Sequence, residues 1–206
     1  MKPLLLIGGG GHCHAVIDVI EAAGTHSIAG IVRPPNEAHT NVMGYPTIGT
    51  DDDLPTLLVE TPCALVTVGQ VKSPGIRIRL FEWLTSHGAE RPVIKSPTAY
   101  LSPHATIRVG SMVMHSSLIN ANARIGMNVI INSHALIEHD VVVGDHCHVS
   151  TGARVNGDVR IGSGCFIGSG AVLKEGIEIG EGTVIGAGLT VLRDVPAGTL
   201  LRSNHG

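Results

Sequence analysis

The sequence predicts two unlike halves, an α/β domain with a small parallel sheet over residues 1–95 and an all-β, three-sided parallel β-helix over residues 96–206. Two observations carry this. In the second half aliphatic side chains recur on a six-residue beat, and in the first half short apolar runs alternate with amphipathic stretches of helical period. Composition agrees. The 206 residues hold 27 glycines but only one Trp, two Tyr and two Phe, so the core must be stacked aliphatics and the turns many and tight.

Residues 4–7 form a buried-strand run that ends in Gly8-Gly9-Gly10-Gly11. A helix follows over 12–23, with Ala15, Val16, Val19, Ile20 and Ala23 on one face and Gly24 as its stop. Residues 28–32 read as a second strand, 51–59 as a helix opened by Thr50 or an Asp of the 51–53 run, 64–68 as a third strand, and 73–87 as a helix closed by Gly88. Residues 91–96 read as the linker.

From Leu101 to Val191 every sixth residue is aliphatic without a slip, including Ile107, Ile119, Ile137, Val149, Val155 and Ile167. Each hexad then makes one short strand and one corner, and three hexads make an eighteen-residue coil. The aliphatics stack inward as three ladders, one being Leu101, Ile119, Ile137, Val155, Leu173 and Val191, with strands of neighbouring coils about 4.8 Å apart. Four residues after each aliphatic sits a mostly small one, such as Ala123, Ala135 or Ala153, so Cys147 above Cys165 is an interior stack. Glycine directly after the aliphatic (Gly126, Gly144, Gly162, Gly168, Gly180, Gly186) is expected to supply the dihedrals of the turn.

A formal net charge of −3 with no basic stripe argues against a nucleic-acid partner. No apolar run approaches the roughly 20 residues of a membrane helix, and residues 1–7 are too short an apolar run for a signal peptide. The four cysteines form no CxxC pair and read as reduced thiols of a cytoplasmic protein.

A glycine-rich strand-to-helix turn gathers free N–H groups at the positive end of a helix, which suits a phosphate. The dinucleotide fingerprint fails here: Cys13 stands where its third glycine belongs, and Val32-Arg33 replace the acidic residue at the end of the second strand. The pyrophosphate of a sugar nucleotide suits the loop, and a plain packing turn remains the other reading. In the second half, Glu138-His139-Asp140 follows an inward aliphatic, so His139 lies outside the core. A carboxylate beside a histidine fixes its tautomer and strengthens it as a general base, the roles read for Asp140 and His139. A solvated histidine in a charged turn is the alternative.

The hexads resemble those of the hexapeptide-repeat acyltransferases, which wind a left-handed parallel β-helix. The Gly8–Gly11 loop with His12, the segment from Gly44 to Leu54, Val68-Gly69 with Arg77 and Arg79, and Glu138-His139-Asp140 resemble the sugar O-/N-acyltransferases of the sialic-acid O-acetyltransferase and bacillosamine-pathway N-acetyltransferase type. That resemblance implies a Rossmann-like N-terminal domain in which Gly10, Gly11, His12, Arg33 and Gly69 hold a nucleotide-linked sugar. It implies acetyl-CoA as co-substrate, with His148 near the thioester, the Gly157 amide as oxyanion donor, and Ser169 and Ala187 along the pantetheine and adenine end, all following one face of the prism. Lys174, Arg193 and Arg202 are candidate cations for the CoA phosphates; His14 reads as a surface residue. A homotrimer with CoA between prisms, and no metal, are further implications. N- and O-acetylation both stay open, the leaning being to a 4-amino-deoxysugar and the runner-up a sialic acid. Two readings of other classes are a non-catalytic trimeric sugar-nucleotide binder and a γ-class carbonic-anhydrase-like zinc enzyme using His134 and His139, in which Thr98 stands where a third histidine is needed.

Overall fold

A computed structural model describes residues 1–35, 41–70 and 73–202. In the first half, β1 (Lys2–Ile7), α1 (Gly11–Ala23), β2 (His26–Arg33), β3 (Thr47–Thr50), α2 (Leu54–Glu60), β4 (Ala64–Val66) and α3 (Gly75–Ser86) build one parallel sheet of order β3-β2-β1-β4. The strand β3 is a finding beyond the sequence reading, and a 3-10 turn (Asp51–Asp53) precedes α2 where one continuous helix was expected. The Asp53 carboxylate accepts from both the N–H and the hydroxyl of Thr50, which opens that turn. Successive side chains of β1 go to opposite layers. Leu4 and Leu6 pack with Val16, Ile17 and Ile20 of α1, while Leu5 and Ile7 pack with Leu54 of α2 and Leu80 and Leu84 of α3. Gly24 ends α1 in the left-handed region at φ 61°, as expected of a C-cap glycine.

From β5 (Ile94–Lys95) to β22 (Leu200–Leu201) the chain winds a left-handed parallel β-helix of two-residue strands. Partners stand eighteen residues apart: Ile119 of β9 (Leu118–Ile119) opposes Ile137 of β12 (Leu136–Ile137), which opposes Val155 of β15 (Arg154–Val155). The expected ladder is therefore real, and the aliphatics and small residues, Cys147 and Cys165 included, form one sealed core. The last coil is tighter, with Val184 opposite Leu200.

One expectation about the corners is corrected. The left-handed residues are not the glycines directly after the aliphatics but those two positions on, among them Asn122, Asn128, His134, Asp140, His146, Gly152 and Gly164. The glycines after the aliphatics serve close approach instead. A Cβ on Gly144 would lie 2.7 Å from the Ser163 nitrogen, and one on Gly162 2.6 Å from the Glu181 nitrogen, both backbone of the next coil.

The three prism faces differ outside. Outward positions of the five-stranded sheet are Thr106, Arg124, Val142, Arg160 and Glu178; those of the six-stranded sheet are mostly apolar, Tyr100, Leu118, Leu136 and Val172, with Arg154 and Thr190 among them; those of the seven-stranded sheet include Met112, Ile130, His148, Phe166, Val184 and Leu200. We call them the charged, apolar and docking faces. The N-terminal domain covers the first coils of the docking face, where Ile94, Met112, Met114 and Ile130 share a core with α1. At its rim Asp18, His115 and Ser96 form a hydrogen-bonded chain, His115 Nε2 to Asp18 at 2.9 Å and Nδ1 to Ser96 Oγ at 2.6 Å. Ser96 is fully buried, so this Ser–His–Asp order is a latch between domains rather than a nucleophile site.

Candidate active site

His139 follows β12 and stands on the edge between the apolar and charged faces, 61% exposed. Its Nδ1–H donates to Asp140 Oδ2 at 2.8 Å, leaving the Nε2 lone pair outward. The coil beneath holds both flanking carboxylates: Asn122 Nδ2 donates to Asp140 Oδ1 at 2.6 Å and Asn120 Nδ2 to Glu138 Oε2 at 2.9 Å. Glu138 also accepts from the His139 N–H. The hydrogen bond to Asp140 and the charges of Asp140, Glu138 and Asp158 raise the imidazole above its ordinary pKa, while Asn122 and His139 hold the Asp140 carboxyl below the usual range. One coil above lies Gly157. A Cβ there would come within 2.7 Å of His139 Cε1, so only glycine lets the ring lie against this backbone. No acceptor among the described residues takes the Gly157 N–H.

His148 sits in β14 (His148–Val149) on the docking face, 6% exposed. Its Nδ1–H donates to the Gln70 carbonyl at 2.8 Å and its Nε2 accepts from Asn132 at 3.2 Å. The ring packs edge-on to Phe166, with His12 on another side. Burial pushes its pKa down to about 4 and that of His12 to about 3, with Arg77 adding to both. Burial thus favours the neutral form of both rings, and the His12 Nε2 is sealed from solvent without a partner among the described residues. Arg77, 1% exposed, anchors this junction by donating to Gln70 Oε1 at 2.8 Å and to Asn128. Gln70, Arg77, Asn120, Asn122, Asn128 and Asn132 were not singled out from sequence as members of these networks.

Above Phe166 the docking face is bare and forms an open cleft of about 520 Å³. Phe166, Val184 and Leu200 floor it, Ser169 and Ala187 line it on successive coils, and Arg202 stands at its end. Ser150 reaches Ser169 with a 2.9 Å hydroxyl contact. Of the other candidate cations, Lys174 follows β18 (Val172–Leu173) on the His139 edge and Arg193 lines a separate concavity at the end of the prism. The residues 203–206 of the tail lie outside the described residues.

The expected single face is thus corrected. Ser169 and Ala187 occupy the edge between the docking and apolar faces, His139 and Gly157 the edge on the other side of the apolar face, and His148 the docking face itself. In the N-terminal domain Gly10, Gly11, Arg33 and Gly69 gather at the C-terminal ends of β1, β2 and β4. Gly10 caps α1, a Cβ on Gly9 would strike Arg33, and one on Gly69 would lie 3.3 Å from His12. His134 and His139 stand on different edges, and among the described residues no group of three or more His, Cys, Asp or Glu could hold a metal ion. No helix among them is long and apolar enough to cross a membrane.

Comparison with known proteins decides the family. Residues 122–157 and 158–193 match the bacterial transferase hexapeptide (six repeats), and residues 3–84 the PglD N-terminal domain. A histidine-to-alanine variant of GDP-perosamine N-acetyltransferase from Caulobacter crescentus, in complex with CoA and GDP-perosamine, superposes at TM-score 0.91 with 32% identity, over 97% of this chain and 93% of that one. This chain belongs to the hexapeptide-repeat sugar acetyltransferases. A second member of that family, the acetyltransferase domain of PglB from Neisseria gonorrhoeae in complex with acetyl coenzyme A, matches at TM-score 0.87 and 32% identity over 98% of this chain and 97% of that one. WeeI from Acinetobacter baumannii, at 22% identity and TM-score 0.83 over 99% of this chain and 98% of that one, shares the fold. Among curated proteins none matches.

Proposed function

We propose that this acetyltransferase moves the acetyl group of acetyl-CoA to the amino group of a nucleotide-linked 4-amino-deoxysugar, with His139 as general base. The observation that carries the reading is the His139–Asp140 pair lying under the Gly157 amide. Nε2 takes the proton of the attacking amine, Asp140 stabilises the imidazolium that results, and the Gly157 N–H donates to the developing oxyanion as the thiolate leaves. The carboxylates of Glu138, Asp140 and Asp158 around the ring draw in a protonated amino sugar, which loses one proton to solvent to become the attacking amine before Nε2 takes the second. The cleft suits pantetheine: its floor is apolar, its sides are small, and Arg202 supplies a cation for phosphate. The Gly8–Gly11 loop at the N-terminus of α1 suits the pyrophosphate of the acceptor.

Cleft and base lie on opposite borders of the apolar face, so one chain does not assemble the site. Packing that face around a three-fold axis would bring the His139 edge of one copy to the cleft of the next, covering Tyr100, Leu118, Leu136 and Val172 together with Arg154, which stands between the last two. Such a homotrimer would work in the cytoplasm, in glycan biosynthesis.

The test is thiol release from acetyl-CoA with GDP-, UDP- and CMP-linked amino and hydroxy sugars. A GDP-linked amino sugar heads the panel, because β2 ends in Val32-Arg33 and a related structure holds GDP-perosamine. We expect one amino sugar to support turnover and His139→Ala to lower it about 10²–10⁴-fold. Full activity in His139→Ala removes the base; turnover of CMP-sialic acid alone makes the enzyme an O-acetyltransferase.

A further inference from the structure

We propose that Asn122 is a positioning residue of the active site: acting through Asp140, it fixes the tautomer and orientation of the His139 ring. The proposal rests on the reading of His139 as base, and it comes from the way successive coils stack.

Asp140 is exposed and sits at a left-handed corner, φ 62°. A carboxylate in that setting is free to turn either oxygen to water. Two hydrogen bonds fix it instead, one to each oxygen: Oδ2 accepts from His139 and Oδ1 accepts from Asn122. Asn122 is the residue eighteen positions earlier, at the same left-handed corner of the coil beneath, φ 59°. The Asn122 amide is the part of the assembly that comes from outside the His139 loop. Without it the carboxylate swings about its own χ angles, and the ring loses the partner that keeps the proton on Nδ1 and the lone pair on Nε2.

The choice of variant follows from the backbone. Alanine at φ 59° would add strain unrelated to the amide, whereas glycine occupies the equivalent left-handed corners at Gly152, Gly164 and Gly170. Asn122→Gly therefore deletes the donor and leaves the coil intact. Asn122→Asp also tolerates this conformation, removes the donor, and adds a negative charge. The charged groups facing His139 and its partner are Glu138, Asp140 and Asp158 from its own and the next coil, Arg124 beside Asp140, and Arg160 paired with Asp158.

The experiment follows the His139 imidazole by NMR titration and, in parallel, the pH profile of kcat/KM for the amino sugar. In Asn122→Gly we expect the His139 titration and the acid limb of the profile to move together to lower pH. In Asn122→Asp we expect both to move to higher pH through the added charge alone, so the downward shift in Asn122→Gly is the sign that a scaffolding role would not produce. Turnover in Asn122→Gly should fall roughly tenfold while the Tm moves by no more than about 2 °C. In an Asp140→Asn background the same change should cost less than about twofold, because the residue through which Asn122 acts is already disabled. An unmoved His139 titration in Asn122→Gly, or an undiminished loss in the Asp140→Asn background, would overturn the proposal. The base reading fails separately, on full turnover in His139→Ala, because the NMR arm reports on the ring whether or not it is catalytic.

Discussion

His139 and His148 lie nine residues apart on one repetitive column, and their surroundings make them opposites. His139 stands on an outer edge with a carboxylate on Nδ1 and its other nitrogen free, and its proton affinity is raised. His148 is closed over by the N-terminal domain, with both nitrogens engaged by neutral groups and its pKa down near 4. The prism interior is the same beneath both. What differs is what lies on each face, so chemistry here is set by the outside of the column and not by the repeat. The exposed histidine is fit to accept a proton at neutral pH; the buried one is fit to stay neutral and hold a domain in place.

The largest expected effect that can break this contrast comes from two glycines. Gly157→Ala drives a methyl against the His139 ring, a side chain that can yield, so turnover should fall about 100-fold with little change in melting. Gly162→Ala drives the same methyl into the Glu181 backbone, which cannot yield, on the edge between the charged and docking faces, away from His139 and Gly157. That variant should lose roughly 1–3 kcal/mol of stability and keep its kcat. Paired thermal melts and thiol-release assays check both. Equal loss of activity in the two would mean that Gly157, like Gly162, serves only the stacking of coils.

Much of this was legible because period converts directly into geometry. The six-residue beat gave the inward ladders, and the position of His139 after an inward aliphatic gave its outward setting. The separation of edges was also within reach, since Gly157 is a full eighteen residues from His139 while His148 is half that. The strand β3 was hidden for a local reason: Thr47–Thr50 is a half-exposed edge strand with a glycine and no clean alternation. Gln70 and Asn128 were hidden for a long-range one, as was the buried role of Arg77, a residue the family resemblance does single out. They are buried because one domain docks on the other, and Arg77 meets Asn128 across 51 residues of chain with no local pattern to announce it.

The next effect tests the buried member of the pair through acid. His12 and His148 have folded pKa values of about 3 and about 4, below the ordinary 6.5 of the unfolded chain. Between those limits the unfolded state binds more protons, so stability is complete above about pH 6.5 and falls as pH drops towards 4. His148 should contribute about 3 kcal/mol of that loss. Melting temperature measured from pH 7.5 to 4.5 should fall in the wild type and fall less in His148→Asn. The exposed His139 titrates with the opposite sign: its raised pKa adds stability as pH falls towards 6.5, so its replacement should leave the acid fall no shallower, and a flatter slope in His139→Ala instead would invert the assignment of the two rings.

The smallest effect concerns the cation that helps keep the buried pair neutral. Arg77 has no carboxylate partner among the described residues, and burial lowers its pKa to about 10. Its Nε is a buried donor without an acceptor among the described residues. Arg77→Met removes this desolvated charge but leaves Gln70 Oε1 and the Asn128 acceptors without their donor. The two changes oppose one another at about 1–3 kcal/mol each, so the net shift at pH 7.5 should be about 1 kcal/mol or less. The acid slope is the sharper readout. Burial dominates the depression of His12 and His148, and the Arg77 charge adds to it, so Arg77→Met should let both rings accept protons more easily and make the melting temperature fall less steeply below pH 6.5. An unchanged slope would show that burial alone keeps His148 neutral, leaving the difference between the two histidines to desolvation on one side and the Asp140 carboxylate on the other.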